Sequence, residues 1–259
     1  MGINFFDTAD LYEKGENERR VGRALKEKRK EIILATKVGN QWRSDGSGWD
    51  WNPSKEYILT SVEQSLLRLG TDYIDLYQLH GGTINDPIDD SIEAFEILKQ
   101  QGKIRHYGIS SIRPNVIREY VKRSSITSVM MQYSLLDRRP EEECLDLLRQ
   151  HDIGVLTRGS LAQGLLAGKP VKAYLGYRAE EVEAGARAVR ELSHAGRSAA
   201  QTAVQFALHH PAVSATVIGI RSMEQLEEVA AAVDSPRLND TEISQLQSVL
   251  TPNRYTDHR

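Results

Sequence analysis

Four side chains of useful chemistry fall at or just past the ends of short apolar runs. Asp7 closes Ile3-Asn4-Phe5-Phe6-Asp7, Lys37 closes the run from Ile32, His80 directly follows the run Tyr73 to Leu79, and Tyr12 lies five residues beyond Asp7. A phenol has an ordinary pKa near ~10 and is a poor acid at neutral pH. A lysine ammonium beside it favours the phenolate, and a carboxylate beside the lysine keeps that ammonium charged and in place. A histidine can orient a carbonyl or share the proton. Together the four would make a tunable proton donor, which reduction of a carbonyl needs once hydride has reached carbon. Singly, each has a plainer reading as a solvated charge, a loop phenol or a structural histidine. Four of them at successive strand ends are harder to explain in that way.

Something must bring them together. Strand-like runs cover Ile3 to Asp7, Ile32 to Lys37, Tyr73 to Leu79, Ile104 to Ile109, Ile126 to Met131, Ile153 to Thr157 and Ser214 to Gly219. Helical periodicity fills 17–28, 54–69, 88–100, 113–123, 140–150, 197–209 and 222–232. Pro53-Ser54, Arg113-Pro114 and Arg139-Pro140 suit helix starts, and Gly70, Gly102 and Gly154 fall where helices should stop. This alternation predicts parallel strands joined by right-handed crossovers, in an α/β fold. A closed barrel and an open sheet both fit it. No Gly-x-Gly-x-x-Gly follows any strand, so the dinucleotide turn of an open sheet is missing. Chemistry at the C-terminal ends of several strands is where barrels keep it. The expectation is therefore a (β/α)8 TIM-type barrel, with seven of the eight strands encoded in the chain.

The composition narrows the function classes. The chain has 259 residues, 40% hydrophobic and 27% charged, which suits a globular core, and its net charge of -3 gives no electrostatic reason to expect nucleic acid or an anionic membrane as partner. One cysteine, Cys144, leaves no internal disulfide and no cysteine-rich metal site, and it sits in a helical pattern as a small buried hydrophobe. No apolar run approaches the roughly 20 residues of a membrane span, and the first residues do not show the basic-then-apolar pattern expected of a signal peptide. No metal and a cytoplasmic location are expected. The segment Gly39 to Pro53 reads as a loop carrying Trp42, Trp49 and Trp51. These could wall a pocket for apolar or aromatic carbonyls, or pack the loop onto the fold.

At these residues a resemblance becomes specific. Gly2-Ile3-Asn4-Phe5-Phe6-Asp7-Thr8-Ala9-Asp10-Leu11-Tyr12, with Gly15-Glu16-Asn17-Glu18 and Val21-Gly22-Arg23-Ala24-Leu25, resembles the aldo-keto reductase signature. Tyr73-Ile74-Asp75-Leu76-Tyr77-Gln78-Leu79-His80 is similar to a second segment of that family. Further matches are Gly102-Lys103-Ile104-Arg105, Gly108-Ile109-Ser110, Gln132-Tyr133-Ser134-Leu135-Leu136 and Ala162-Gln163-Gly164-Leu165-Leu166. The likeness runs through the whole chain.

The resemblance implies a reductase of small-molecule aldehydes and ketones, with Tyr12 as general acid, Lys37 and Asp7 as its pKa-lowering pair and His80 as the orienting residue. It implies NADP(H) held without a Rossmann domain. Ser110 and Gln132 would hold the carboxamide, with Ser111, Arg158, Gly159, Leu161 and Gln163 nearby. Gly219, Arg221 and Ser222 would receive phosphate at a helix N-terminus, Arg221 pairing with the adenosine 2′-phosphate, and Gln225 and Glu228 would complete the adenosine contacts. Without the family match, Ser222 reads as a helix cap and Arg221 as a solvated charge. Two positions depart from the pattern: Ser111 stands where Asn is common, and Arg158 stands near the position of an aromatic that stacks on the nicotinamide. Family members carry about forty further residues ahead of this point, including the first barrel strand and helix. The chain is thus expected to be a single barrel domain over 1–259, N-terminally incomplete, with unpaired edges at Ile3–Asp7 and Ser214–Gly219. A cofactor-binding regulatory subunit of this fold, like the channel-associated β subunits, and an inactive truncated fragment are the competing readings. A monomer or weak homo-oligomer is expected.

Overall fold

Parallel strands covered on both faces read as continuous apolar runs, and the first unit of the structure is built on such runs. A computed structural model describes residues 1–259. Its chain clusters into two compact units, residues 4–129 with 258, and residues 1–3 with 130–257 and 259. In the first unit the order is β1 (Phe5–Asp7), α1 (Glu16–Leu25), β2 (Ile33–Val38), β3 (Asn40–Trp42), β4 (Trp49–Trp51), α2 (Lys55–Leu69), β5 (Ile74–Leu79), α3 (Ile88–Gln100), β6 (Ile104–Ser110) and α4 (Pro114–Arg123). Strand β7 (Ser128–Gln132) closes it and opens the second unit, which continues through α5 (Cys144–Gln150), β8 (Gly154–Arg158), α6 (Ala179–Glu191), α7 (Ala199–His209), β9 (Val213–Val217), α8 (Met223–Ala230) and α9 (Asp240–Ser248).

Seven strands share one sheet in the order β1-β2-β5-β6-β7-β8-β9, as the count of apolar runs requires. Strands β1, β2, β5 and β6 pair in parallel, as do β8 and β9. Strand β5 is buried along its whole length, whereas β1 and β9, at the two ends of the order, are only partly covered.

Local signals set most of the helices. Ser54 caps α2 by accepting a hydrogen bond from the Tyr57 N–H at 3.3 Å, Ile58, Val62, Leu66 and Leu69 form its buried stripe, and Gly70 ends it in the left-handed conformation at φ 63°. Pro114 opens α4, and Ser198 and Gln201 form a capping box at α7. In the first unit Phe95 stacks on Tyr107 at 5.3 Å and meets Tyr77 edge-on at 5.7 Å. In the second, Tyr133 and Phe206 lie 6.0 Å apart. Cys144 is buried, as a small hydrophobe should be. No helix is long and apolar enough to cross a membrane.

Three local expectations change. The segment Gly39 to Pro53 is a hairpin, with β3 antiparallel to β4. A turn with Gly46 and Gly48 at positive φ joins the strands, and a bidentate Arg43–Asp50 pair clamps them. Gly154 does not stop a helix. Strand β8 starts there, and the left-handed turn after α5 falls on Asp152 at φ 55°. Helices α6 and α9 lie outside every predicted helical segment, because their short Ala-, Glu- and Ser-rich stretches carry few large apolar residues.

Candidate active site

In the first unit, strand register decides which side chains share a face. Asp7 pairs with Ala35, Ala35 with Leu76 and Lys37 with Gln78. Side chains two apart on a strand point the same way, so Lys37 lies on the face of Ala35, beside Asp7 on one neighbour and Gln78 on the other. The Lys37 Nζ donates to Asp7 Oδ2 in a short charge-assisted bond and to the Thr8 carbonyl at 2.8 Å. Gln78 Nε2 donates to the other Asp7 oxygen at 3.1 Å. Lys37 is 1% exposed. Burial pushes the Asp7 carboxyl above its ordinary value, and the Lys37 ammonium and Gln78 amide pull it back. A buried ion pair with its remaining oxygen satisfied is the arrangement that keeps both charges.

The chain beyond Asp7 stays beside β2. Thr8 N–H donates to the Ala35 carbonyl at 3.0 Å and Asp10 N–H to the Lys37 carbonyl at 3.2 Å. It then turns sharply. Tyr12 N–H donates to the Ala9 carbonyl at 3.2 Å, and Glu13, Lys14 and Gly15 are all left-handed, at φ 51°, 56° and 84°. For the two non-glycines this costs about 1–2 kcal/mol each. An Arg20–Glu13 ion pair at 2.9 Å and the Lys14 ammonium over the Trp42 ring at 5.1 Å hold the turn.

The turn delivers Tyr12 to the pair. Its ring centre is 5.4 Å from Lys37 Nζ and 5.8 Å from the His80 ring, which it meets at 84°. Tyr12 is 40% exposed, so the phenol reaches solvent while the ammonium behind it does not. His80 is fixed through its backbone: its N–H donates to the Val38 carbonyl at 2.7 Å, and Asn40 Nδ2 donates to its carbonyl at 3.2 Å.

The hairpin stands beside this group. Trp51 donates from Nε1 to Asp86 at 3.0 Å and packs against Gly39 and Gly81, where an added Cβ would sit 2.5 and 3.2 Å from the ring. Trp51 thus fastens the hairpin to the backbone next to His80. Trp42 receives Lys14, and Trp49 is 47% exposed. At the end of β6, Ser110 and Ser111 are buried, and the Ser111 Oγ accepts from the Arg113 N–H at 3.2 Å.

The second unit holds the other predicted residues. Gln132 ends β7 and Arg158 ends β8; Arg158 Nη1 donates to Gln132 Oε1 at 2.9 Å, and Gln132 Nε2 donates to the Tyr174 hydroxyl at 3.0 Å. Gly159 is left-handed at φ 71°, and a Cβ there would come within 3.2 Å of Gln132. Leu161 leads into a left-handed turn at Ala162, Gln163 and Gly164, with Gln163 exposed. Gly219 and Arg221 are exposed ahead of α8. Ser222 caps that helix, and Gln225 Oε1 accepts from the Arg221 N–H at 3.0 Å. Glu228 is exposed, its carbonyl taken by Gln201 at 2.8 Å. An exposed guanidinium beside a helix N-terminus, with open space over Gly219, is a donor set that fits a phosphorylated cofactor.

Reading the sequence missed Gln78, Asp10, Glu18, Arg68 and Tyr174. Glu18 was within reach, because it shares a helical stripe with Val21, Gly22 and Leu25 and is wholly buried. Gln78 follows only from the register of β2 on β5.

The model of the Aldo/keto reductase family matches residues 1–251. An "Uncharacterized oxidoreductase YqkF" of Bacillus subtilis (strain 168) is 52% identical over 268 residues, covering 100% of this chain and 87% of that protein. An "NADH-specific methylglyoxal reductase" of Escherichia coli (strain K12) is 37% identical over 195 residues, 70% of this chain and 60% of that protein. Among solved structures, the holo form of the aldo-keto reductase AKR11C1 from Bacillus halodurans is similar at 50% identity and a TM-score of 0.93, covering 100% of this chain and 86% of that one. A match of that quality puts the fold in the α/β class of (β/α)8 TIM type.

Proposed function

The chain belongs to the aldo/keto reductase family, and on that premise we propose that it is an NADPH-dependent reductase of small aldehydes and ketones with Tyr12 as its general acid. The observation that carries this reading is the Tyr12 ring within reach of both the Lys37 ammonium, at 5.4 Å, and the His80 ring, at 5.8 Å. A positive charge beside a phenol stabilises its phenolate, which is the species left after proton donation. Asp7 keeps Lys37 charged, and Gln78 and the Thr8 carbonyl keep both in place. His80 meets the Tyr12 ring at 84°, close enough to hold a carbonyl oxygen toward the phenol.

When bound, the nicotinamide supplies hydride to the carbonyl carbon. The carbonyl π electrons move to oxygen, and Tyr12 gives that oxygen its hydroxyl proton, leaving a phenolate that solvent can reprotonate because the ring is partly exposed. Ser110, Ser111, Gln132, Arg158, Gly159, Leu161 and Gln163 would hold the nicotinamide end. Gly219, Arg221, Ser222, Gln225 and Glu228 would hold the adenosine end. Arg221 supports NADPH over NADH, since a guanidinium matches a 2′-phosphate; the E. coli relative's name points the other way for that protein. Trp42, Trp49 and Trp51 would wall the substrate side, favouring carbonyls with apolar bodies.

The test follows NADPH consumption over a panel of aldehydes, with wild type beside Tyr12→Phe. Turnover should fall about 10²–10⁴-fold in the variant with cofactor affinity unchanged. Equal rates would remove Tyr12 from its role, and cofactor binding without turnover in wild type would favour the regulatory reading.

A further inference from the structure

Behind the Asp7–Lys37 pair lies a second buried layer of charge that the chemistry above does not use. Thr36 precedes Lys37 on β2, and neighbouring strand residues point to opposite faces. On that other face Thr36 Oγ1 donates to Glu18 Oε1 at 2.6 Å, and Arg68 Nε donates to Glu18 Oε2 at 2.6 Å. Glu18 is fully buried. Asp10 enters the same layer from the loop between Asp7 and Tyr12, its backbone N–H bonded to the Lys37 carbonyl at 3.2 Å.

Asp10 is 8% exposed, and its Oδ1 is buried without a hydrogen-bond partner. The charged and titratable groups around it are Glu18 on α1, Arg68 and Tyr57 on α2, Tyr77 on β5 and Lys37 on β2. Tyr77 is wholly buried, and its hydroxyl also lacks a partner. Lys37 is taken by Asp7 and Arg68 by Glu18. Asp10 is therefore the carboxyl in this layer with no cation of its own. Burial and the neighbouring Glu18 carboxylate push it up to about 7, against the pull of Arg68, the Leu11 N–H and Lys37.

We propose that Asp10 is a positioning residue for proton transfer: its buried carboxyl acts through Lys37 to set how firmly Tyr12 holds its proton. With Asp10 ionised, two carboxylates draw on the one ammonium, its field at the Tyr12 ring is partly cancelled, and the phenol keeps its proton. With Asp10 neutral, Lys37 acts on the ring undiminished and the phenolate forms more readily. The proposal rests on Tyr12 as the acid, and it adds a pH-dependent control to that group from a residue that need not touch substrate.

The experiment is a carbon-13 NMR titration of protein labelled at tyrosine Cζ, with the Tyr12 signal assigned by its loss in Tyr12→Phe. In wild type the signal should move slightly as Asp10 ionises near neutral pH and then fully as Tyr12 itself ionises. In Asp10→Asn the first step should vanish and the second should move to lower pH by roughly one unit, the scale of one unit charge across a partly buried layer. The high-pH limb of kcat for aldehyde reduction should move with it, while KM for NADPH stays. A single-step wild-type titration overturns the proposal without recourse to any variant, as does an Asp10→Asn protein whose Tyr12 titrates as in wild type. If Tyr12→Phe turned over like wild type while the NMR coupling persisted, the acid reading would fall and the coupling would stand. An inactive Tyr12→Phe with no coupling would sink only the role of Asp10.

Discussion

Asp10→Asn should raise stability at pH 8 relative to wild type, and raise it less at pH 5. The Asp10 carboxyl is almost fully buried, and desolvation together with Glu18 lifts it from 3.8 to about 7. Its folded-state value lies above its unfolded one, so between those values the folded chain binds the extra proton. Stability therefore falls as pH rises through that window and levels off above about 7. The full shift is worth roughly 4 kcal/mol at 1.36 kcal/mol per unit, and linkage puts roughly 2.5 kcal/mol of it between pH 5 and pH 8. Asparagine has the same shape and no charge, so the variant lacks this slope. Urea unfolding of both proteins at pH 5, 6, 7 and 8 measures it. The stability difference, variant minus wild type, should grow with pH by 1–3 kcal/mol (roughly, allowing for relaxation around the carboxylate). A difference constant across pH would mean that Asp10 titrates at its ordinary value and that the buried layer does not hold its proton.

Gly22→Ala places a Cβ 2.3 Å from the Leu69 carbonyl oxygen, where α1 crosses the end of α2. The helices must part, at about 1–3 kcal/mol, read as a lower urea midpoint; Ala24→Ser on the exposed side of α1 should leave the midpoint unchanged. Asp75 accepts from the Leu34 N–H at 3.0 Å and pairs with Arg29 at 2.8 Å and Arg105 at 3.2 Å, both guanidinium groups lying 4.0 Å from the Tyr73 ring. Asp75→Ala should destabilise by about 3 kcal/mol, through the loss of a buried carboxylate that holds the Leu34 N–H and the partly buried Arg29, with kcat in the surviving folded protein little changed. Arg221→Ala should raise KM for NADPH about tenfold or more and leave that for NADH within about twofold, as loss of one charge-assisted contact implies; equal effects on both cofactors would refute the 2′-phosphate assignment.

Much of this protein is legible one segment at a time. Alternation and apolar runs locate all seven strands of the main sheet to within a few residues, because a buried strand needs a short continuous run whatever it pairs with. Ser54 and Pro114 mark helix starts through bonds and torsions made within four residues. The four reactive side chains can be found because strand ends can. The hairpin escaped, since its polar β3 and β4 are held by the Arg43–Asp50 pair and by Trp51 against Gly39 and Gly81. Two things depended wholly on the tertiary structure. One is register: only the pairing of Lys37 with Gln78 places that amide on Asp7, 71 residues away. The other is the electrostatic setting of Asp10, which looks in sequence like any loop aspartate. Its unusual state comes from burial and from the Glu18 carboxylate carried in on α1, with Arg68 on α2 pulling the other way. Residue type and local period set what a side chain can do, but desolvation and neighbouring charge set its protonation, and both exist only once distant segments have packed.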